Sequence, residues 1–327
     1  MTLAINLLAA AIIFGTPLMF GTLGEILTEK SGNLNLGVEG IMFMGGAFGL
    51  AGVYYYESLA KSPSILLAVL AALAAAFIAG AFAALIFSFL TITLRTNQNV
   101  TGLALAIFGT GAGQFMGTFM RENAAGSYVT LSNELKEAFL ASPFPEALQK
   151  IPYAGKALFG NSMFFYLGVL LAVGMHLFLS KSRTGLYLRA VGESPSTADT
   201  AGINVSRYKY LATIIGGGIS AIGGMVYITT TSGCTWNHTA LSGVGWLSVA
   251  LVIFCMWRPL AAIWGSVLFG GLMILYLYLH LSFMPQDLYM MLPYIVTVIV
   301  LILTSLRNKR EQQPPEALGL SFFREER

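Results

Sequence analysis

The residues of this sequence whose types and spacing could do chemistry cluster in one short stretch, EILTEKSGNLNLGVEG, which runs from Glu25 to Gly40 between long apolar segments. Its first half carries Glu25 and Glu29, one helical turn apart, followed directly by Lys30. Lys30 brings an opposite charge close to the two carboxylates, and neighbouring opposite charges can form ion pairs. The first half therefore predicts an ion-paired cluster with a structural role.

The second half of the stretch, GNLNLGVEG, favours a broken helix near residues 32–40, because glycine and asparagine are poor helix formers. Amide and carboxylate groups on such a break could bind a polar solute that crosses a helical bundle. Asn33, Asn35 and Glu39 are thus the leading candidates for a substrate pathway. Two structural alternatives stay open for Glu39, which could cap the start of the following helix or pair with Lys30.

A second group of amides occurs in the sequence RTNQN, where Asn97, Gln98 and Asn99 follow Arg95. Asn97 and Asn99 are further pathway candidates. The same residues are also typical of a polar turn between two helices, and the sequence favours the turn slightly.

Motifs for catalysis or metal binding do not occur. The sequence contains no GxxxxGK[ST], HExxH or GxSxG motif, and its three histidines lie far apart. The two cysteines, Cys234 and Cys255, are too few for a disulfide framework. We therefore expect no enzyme activity, no metal and no cofactor.

The composition is that of a membrane protein, since 56% of the 327 residues are hydrophobic and 10% are charged. A membrane-spanning helix needs about 20 apolar residues. The runs without Asp, Glu, Lys or Arg are 1–24, 40–56, 62–94, 96–120, 157–180, 210–257, 259–286 and 288–306. The sequence predicts an all-α, polytopic integral membrane helical bundle of roughly 8–10 transmembrane helices.

A strict count gives nine spans and an external N-terminus, and one interrupted or re-entrant segment would change that parity. The predicted spans are 3–23, 36–54, 64–94, 100–120, 161–180, 210–232, 243–257, 259–281 and 288–306.

The placement of basic residues predicts the orientation, because short cytoplasmic loops are rich in Lys and Arg. The segments 181–209 and 307–327 each carry five such residues and are predicted to be a cytoplasmic loop and a cytoplasmic tail. The segment 121–160 shows no basic excess and is predicted to be an outer loop. Residues 1–306 then form a single transmembrane domain.

Within the predicted cytoplasmic loop, the sequence GESPSTADTAGI predicts a short exposed helix. Ser194 is a good N-cap, Pro195 suits the first helical position, Asp199 lies on the helix, and Gly202 suits its end. Such a helix between two spans favours an interaction surface over a merely solvated loop.

The sequence resembles the permease subunits of bacterial ABC importers of the branched-chain amino acid, ribose and nucleoside group. Within that group it looks most like the nucleoside permeases that work with basic-membrane-protein lipoproteins. The matching stretches are GEILTEKSGNLNLGVEGIMFMGG, LRTNQNVTGLALAIFGTG, TGLYLRAVGESPSTADTAGINVSRYKY, GWLSVALVIFCMWRPLAAIWGSVLFG and MLPYIVTVIVLIL.

The resemblance implies an ATP-driven importer subunit in the bacterial cytoplasmic (inner) membrane, which forms half of a translocation path for nucleosides. Its implied partners are a separate ABC ATPase, a second permease that is commonly a different chain, an extracytoplasmic substrate-binding lipoprotein and membrane lipid, with no nucleic acid. The segment that matches the family's ATPase-coupling helix comprises Gly192, Glu193, Ser194, Pro195, Asp199, Gly202 and Ile203.

Two alternatives remain at this point. The substrate could be a simple sugar or another small polar solute, or the chain could be a stand-alone secondary transporter, although it shows no convincing internal repeat. The sequences CTWNH and VIFCMW depart from the common family pattern, and Trp236 and His238 carry no inherited role. Trp236 is typical of an aromatic membrane anchor, with substrate contact as the alternative.

Overall fold

The computed structural model describes residues 2–60, 62–124, 129–149, 151, 155, 159–279, 285–307 and 313–323. These residues form thirteen α-helices and no β-strand, which confirms the all-α prediction. The helices are α1 Thr2–Glu29, α2 Val38–Leu59, α3 Ile65–Ser88, α4 Gln98–Asn123, α5 Asn133–Leu140, α6 Glu146–Gln149, α7 Met163–Lys181, α8 Arg183–Glu193, α9 Pro195–Thr200, α10 Val205–Val226, α11 Val244–Phe254, α12 Pro259–Tyr278 and α13 Gln286–Arg307.

Eight of the described helices are long and apolar enough to cross a membrane, namely α1, α2, α3, α4, α7, α10, α12 and α13. Two of them continue as single π-helical turns, Phe89–Thr93 after α3 and Tyr227–Thr231 after α10. The remaining predicted span, 243–257, contains only the 11-residue helix α11. At 1.5 Å per residue, α11 is about 16 Å long and falls short of an apolar layer of about 30 Å.

Contacts between distant segments define the two ends of the bundle. At the tail end, the N–H of Ala317 donates to Gly192 O over 3.1 Å and the N–H of Gly319 donates to Gly32 O over 3.2 Å. At the loop end, Asn123 donates to the hydroxyl of Tyr55 over 3.0 Å.

The short helix α11 belongs to an interrupted ninth crossing. The N–H of Trp236 donates to Val129 O at the loop end, whereas the indole of Trp257 donates to Glu29 where α1 reaches the tail end. The chain therefore crosses the bundle between Trp236 and Trp257, first as the non-helical segment 232–243 and then as α11.

Rows of small residues let the helices approach closely around α10, which packs against α1, α2 and α3. Gly45 of α2 lies against the backbone of Ala221, and Gly224 lies against the backbone of Met42. On α4, Gly109 contacts the backbone of Gly40 in the same way. These small residues thus serve packing within one subunit.

We predict that Gly45→Leu destabilises the purified protein by about 1–3 kcal/mol, because its side chain must enter the space of the Ala221 backbone. The matched control is Gly111→Leu on α4, where an added Cβ meets no atom within 4 Å. The thermal midpoint in detergent should fall for Gly45→Leu and stay equal or rise for Gly111→Leu. Equal midpoints for the two variants would contradict this packing.

Candidate translocation and coupling sites

The polar stretch singled out in the sequence forms a buried connection between α1 and α2, non-helical over residues 30–37, in agreement with the predicted break. The side chain of Asn33 donates to Thr213 Oγ1 over 2.9 Å. The side-chain oxygen of Asn35 accepts the N–H of Gly37 over 2.9 Å and closes a local turn. Both amides also keep one buried polar atom without a hydrogen bond, the Oδ1 of Asn33 and the Nδ2 of Asn35.

The carboxylates in the first half of the stretch bind groups other than Lys30. Glu25 accepts the N–H of Asn35 over 3.1 Å, and Glu29 accepts the indole N–H of Trp257. Within the described residues, Lys30 makes no ion pair with either carboxylate, so the predicted self-paired cluster is wrong. Burial lowers the pKa of Lys30, and the nearby charge of Arg189 acts in the same direction.

Glu39 caps a helix, but the helix is α11 rather than its own. Its Oε1 accepts the N–H of Gly243 over 2.7 Å, and its Oε2 accepts the N–H groups of Gly245 and Trp246 over 2.8 and 3.2 Å. A carboxylate is well placed there, because the first N–H groups of a helix have no partner within it and carry its positive end.

Local sequence explains why the cap can form. Gly243 has a φ of 87°, a left-handed conformation that turns the chain into α11 without steric cost. Gly245 is needed for a different reason, because a Cβ at this position would collide with the backbone of Glu39. The glycines on both sides of Val244 therefore bring the α11 backbone onto the carboxylate.

The other amide candidates lie at the tail end. Asn97 caps α4 by accepting the N–H of Val100 over 3.1 Å, and Asn99 lies exposed in the first turn of α4. Gln98 accepts the N–H of Leu34 over 2.7 Å. Roles of Asn33, Asn35, Glu39, Asn97 and Asn99 in a substrate pathway stay predictions.

A small polar cavity at the tail end is bordered by Asn33, Gln98 and the buried Lys209. Its volume of about 20 Å³ has room for about one water molecule. The tail covers it, since the ammonium group of Lys209 and the side-chain amide of Gln98 each lie 3.5 Å from Leu320 O. This cavity offers no passage for a solute in the present conformation.

The predicted short helix of the coupling segment is confirmed as α9. Ser194 is its N-cap and accepts the N–H of Thr197 over 3.4 Å, while Pro195 occupies the first turn. Gly202 follows the helix with a φ of 82°, and the N–H of Ile203 donates back to Ala198 O over 3.0 Å. These bonds define both ends of a two-turn helix.

Packing holds the coupling segment firmly against the bundle. Ala198 forms a small buried cluster with Val191 and Val205, and Phe322 of the tail packs against it. Gly192 lies against the carbonyl of Lys30, so the segment touches the connection between α1 and α2. The outward side of the segment presents exposed polar residues, namely Glu193, Ser196, Thr197 and Thr200.

Sequence reasoning missed two contributors to the site. Trp257 belongs to VIFCMW, a run set aside as a departure from the family pattern, and it binds Glu29. The segment 313–323 was predicted only as a polar tail, yet Pro315 and Ala317 are buried at the tail end. The only hint in the sequence was the local run of apolar residues in EALGLSFF.

The eight membrane-length helices among the described residues, with a buried polar break and an exposed helix at one end, define a multi-pass membrane protein. The chain belongs to the family described as branched-chain amino acid transport system / permease component, whose model matches residues 7–301. It is a transport component, and the ATPase of such a system is a separate subunit.

Several relatives are similar over most of their length. The guanosine ABC transporter permease protein NupQ of Bacillus subtilis is 30% identical over 97% of this chain and 96% of its own. The nucleoside ABC transporter permease protein NupC of Lactococcus lactis is 30% identical over 91% of both chains. A provisionally assigned glucose ABC transporter permease, TsgC13 of Haloferax volcanii, is 34% identical over 83% of this chain and 76% of its own.

We predict that Glu39→Ala destabilises the protein by several kcal/mol, because each buried N–H left without a partner costs about 1–3 kcal/mol. Glu39→Gln, which keeps an acceptor oxygen, should be intermediate. Glu122→Ala on the exposed end of α4 is the control and should change stability by less than about 0.5 kcal/mol. Thermal unfolding of the purified protein measures all three, and a Glu39→Ala midpoint equal to the control would contradict the cap.

Proposed function

We propose that this protein is the permease subunit of an ATP-driven importer of nucleosides and forms half of its translocation path. The observation that carries the proposal is α9, an exposed two-turn helix that packs against α8 and α10 at the end where the tail also docks. A rigid helix in this position can transmit a push from an ATPase to the spans. A secondary transporter has no need of such a contact.

Nucleosides are the proposed substrates because the similarity to NupQ and NupC covers more than nine-tenths of each chain. The match to the glucose permease TsgC13 covers less of both chains, although its identity is higher. A sugar is therefore the second candidate. Both are neutral polar solutes with hydroxyl groups, which amide and hydroxyl side chains can bind.

The proposed location is the bacterial cytoplasmic (inner) membrane, with the tail end in the cytoplasm. Lys181, Arg183, Arg189 and Arg207 flank α9, and basic residues favour the cytoplasmic side. The proposed partners are an ABC ATPase on the coupling segment Gly192–Ile203, a second and different permease chain, and an extracytoplasmic substrate-binding lipoprotein at the loop end.

We place Asn33, Asn35, Glu39, Asn97 and Asn99 along the cytoplasmic half of the proposed path. Three of them are buried in the present conformation, and an opening of the tail end would bring them to water. Buried amides with an unused polar atom, as in Asn33 and Asn35, could then bind a passing solute.

The proposed function predicts that the assembled importer, reconstituted in liposomes, takes up radiolabelled nucleosides only with ATP and a loaded binding protein. Binding affinities of that partner for nucleosides, pentoses, glucose and branched-chain amino acids identify the substrate class. Uptake of glucose but not of nucleosides would overturn the substrate assignment. Uptake by this chain alone, without the ATPase, would overturn the importer assignment.

The coupling role of α9 predicts that Ser196→Arg, on its exposed face, lowers substrate-stimulated ATPase activity and uptake by about tenfold or more, since an unmatched charge in an interface costs several kcal/mol. Ser58→Arg is the matched control for ATPase activity measured without the binding protein, because Ser58 is also exposed but lies at the loop end of α2, away from the proposed ATPase contact. Equal activity of the two variants, with both chains present in the membrane, would contradict the assignment.

A further inference from the structure

The interrupted crossing leaves polar residues exposed on a non-helical segment. Asn237, Thr239 and Ser242 are all exposed, and His238 between them is half-buried. The side chain of Asn237 accepts the N–H and the hydroxyl of Thr239, both over 3.1 Å, so this part of the segment folds into its own turn. The segment is an ordered surface rather than an extended connection.

Contacts with α4 show how deep this segment lies. The side chain of Gln114 donates to His238 O over 3.4 Å. At the other end of the segment, the N–H of Gly243 donates to Glu39. The residue that follows Glu39, Gly40, packs against Gly109 of α4. Gln114 and Gly109 precede the end of α4 by 9 and 14 residues, or about 14 and 21 Å along the helix. Because Arg121 and Glu122 mark the polar end of α4, residues 238–243 lie in the outer half of an apolar layer of about 30 Å.

Lipid cannot cover such a surface. Backbone that is not helical, at membrane depth, is tolerated only where protein buries it or where it lines a water-filled cavity. The outward faces of other spans are apolar, as at Ile78 and Phe82 of α3. The exposed polar residues of 237–243 thus mark a face of the subunit that meets water or another protein.

Helix α4 continues this polar face. Thr110, Gln114 and Thr118 recur every fourth residue, lie on one side of the helix and are half-buried. The row borders segment 237–243 through the bond from Gln114 to His238. In contrast, the fully outward side of α4 carries apolar residues such as Ile107 and Phe115. A single threonine is common on a membrane helix, whereas a row of three polar residues beside a polar segment indicates a continuous polar face.

We propose that the row Thr110, Gln114 and Thr118, together with residues 237–243, is the polar wall along which the solute crosses the membrane. The wall offers hydroxyl and amide groups that suit the hydroxyls of a ribose or a hexose, and the half-buried Trp246 next to the capped end of α11 offers a flat ring face. The inference rests on the proposed function, and it names the groups that meet the substrate in the outer half of the path.

Water access to single cysteines tests the wall in the assembled importer in membrane vesicles. Thr239→Cys and Ser242→Cys should react with a hydrophilic, membrane-impermeant thiol reagent about tenfold faster than Ile78→Cys on the lipid-facing side of α3, because only a hydrated thiol ionises readily. The unsubstituted protein provides the baseline, since Cys234 and Cys255 are both buried. A transported solute with its binding protein should slow the reaction at both positions.

The labelling results test the polar wall independently of the proposed substrate class. Labelling at the Ile78→Cys rate at both positions, in variants that still assemble, would overturn the wall. Slow labelling combined with efficient cross-linking to the second permease would also overturn it, because the face would then be a subunit contact. Fast labelling that glucose slows and nucleosides do not would support the wall and refute the proposed substrate class.

Discussion

The cap that Glu39 provides for α11 is the interaction on which the rest of the structure depends. A helix that begins inside a membrane presents N–H groups that neither lipid nor its own chain can satisfy. Glu39 of α2 binds three of them, at Gly243, Gly245 and Trp246. The hydrogen bonds and the positive end of the helix offset the cost of burying the carboxylate. Because α11 can begin at that depth, the preceding residues of the crossing are free to form a polar, non-helical surface.

The tail end connects this cap to the proposed ATPase contact through a short series of contacts. Gly192 of the coupling segment lies against the carbonyl of Lys30, and the tail binds both Gly192 and Gly32 through its backbone. The same connection continues through Asn35, whose N–H binds Glu25, to Glu39 only four residues later. In the proposed importer, a displacement of the coupling segment would reach the segment that carries the cap through Gly192. Short, fully packed contacts of this kind transmit movement better than flexible loops do.

Local features of the structure were predictable from the sequence, and partnerships between distant residues were not. Apolar length located the long spans, and the types of Ser194, Pro195 and Gly202 defined α9, because both signals depend on neighbouring residues. The partner of Glu39 lies some 204 residues away, and that of Glu29 lies 228 residues away. Nothing in local spacing encodes such pairs. The predicted span 243–257 contains a helix too short to cross the membrane. Hydropathy measures only how apolar a segment is, whereas the length of α11 depends on where Glu39 can reach its N–H groups.

The hydrogen bonds that the buried carboxyl groups accept limit the kind of solute that can pass. Glu25, Glu29 and Glu39 each accept N–H donors from the protein, so their oxygens are already engaged before any solute arrives. A cationic solute would have to compete with those donors. The exposed polar residues of segment 237–243 and the half-buried residues of the α4 row are neutral amides and hydroxyls. Such groups would bind a neutral solute by individually weak hydrogen bonds, which permits release as well as entry.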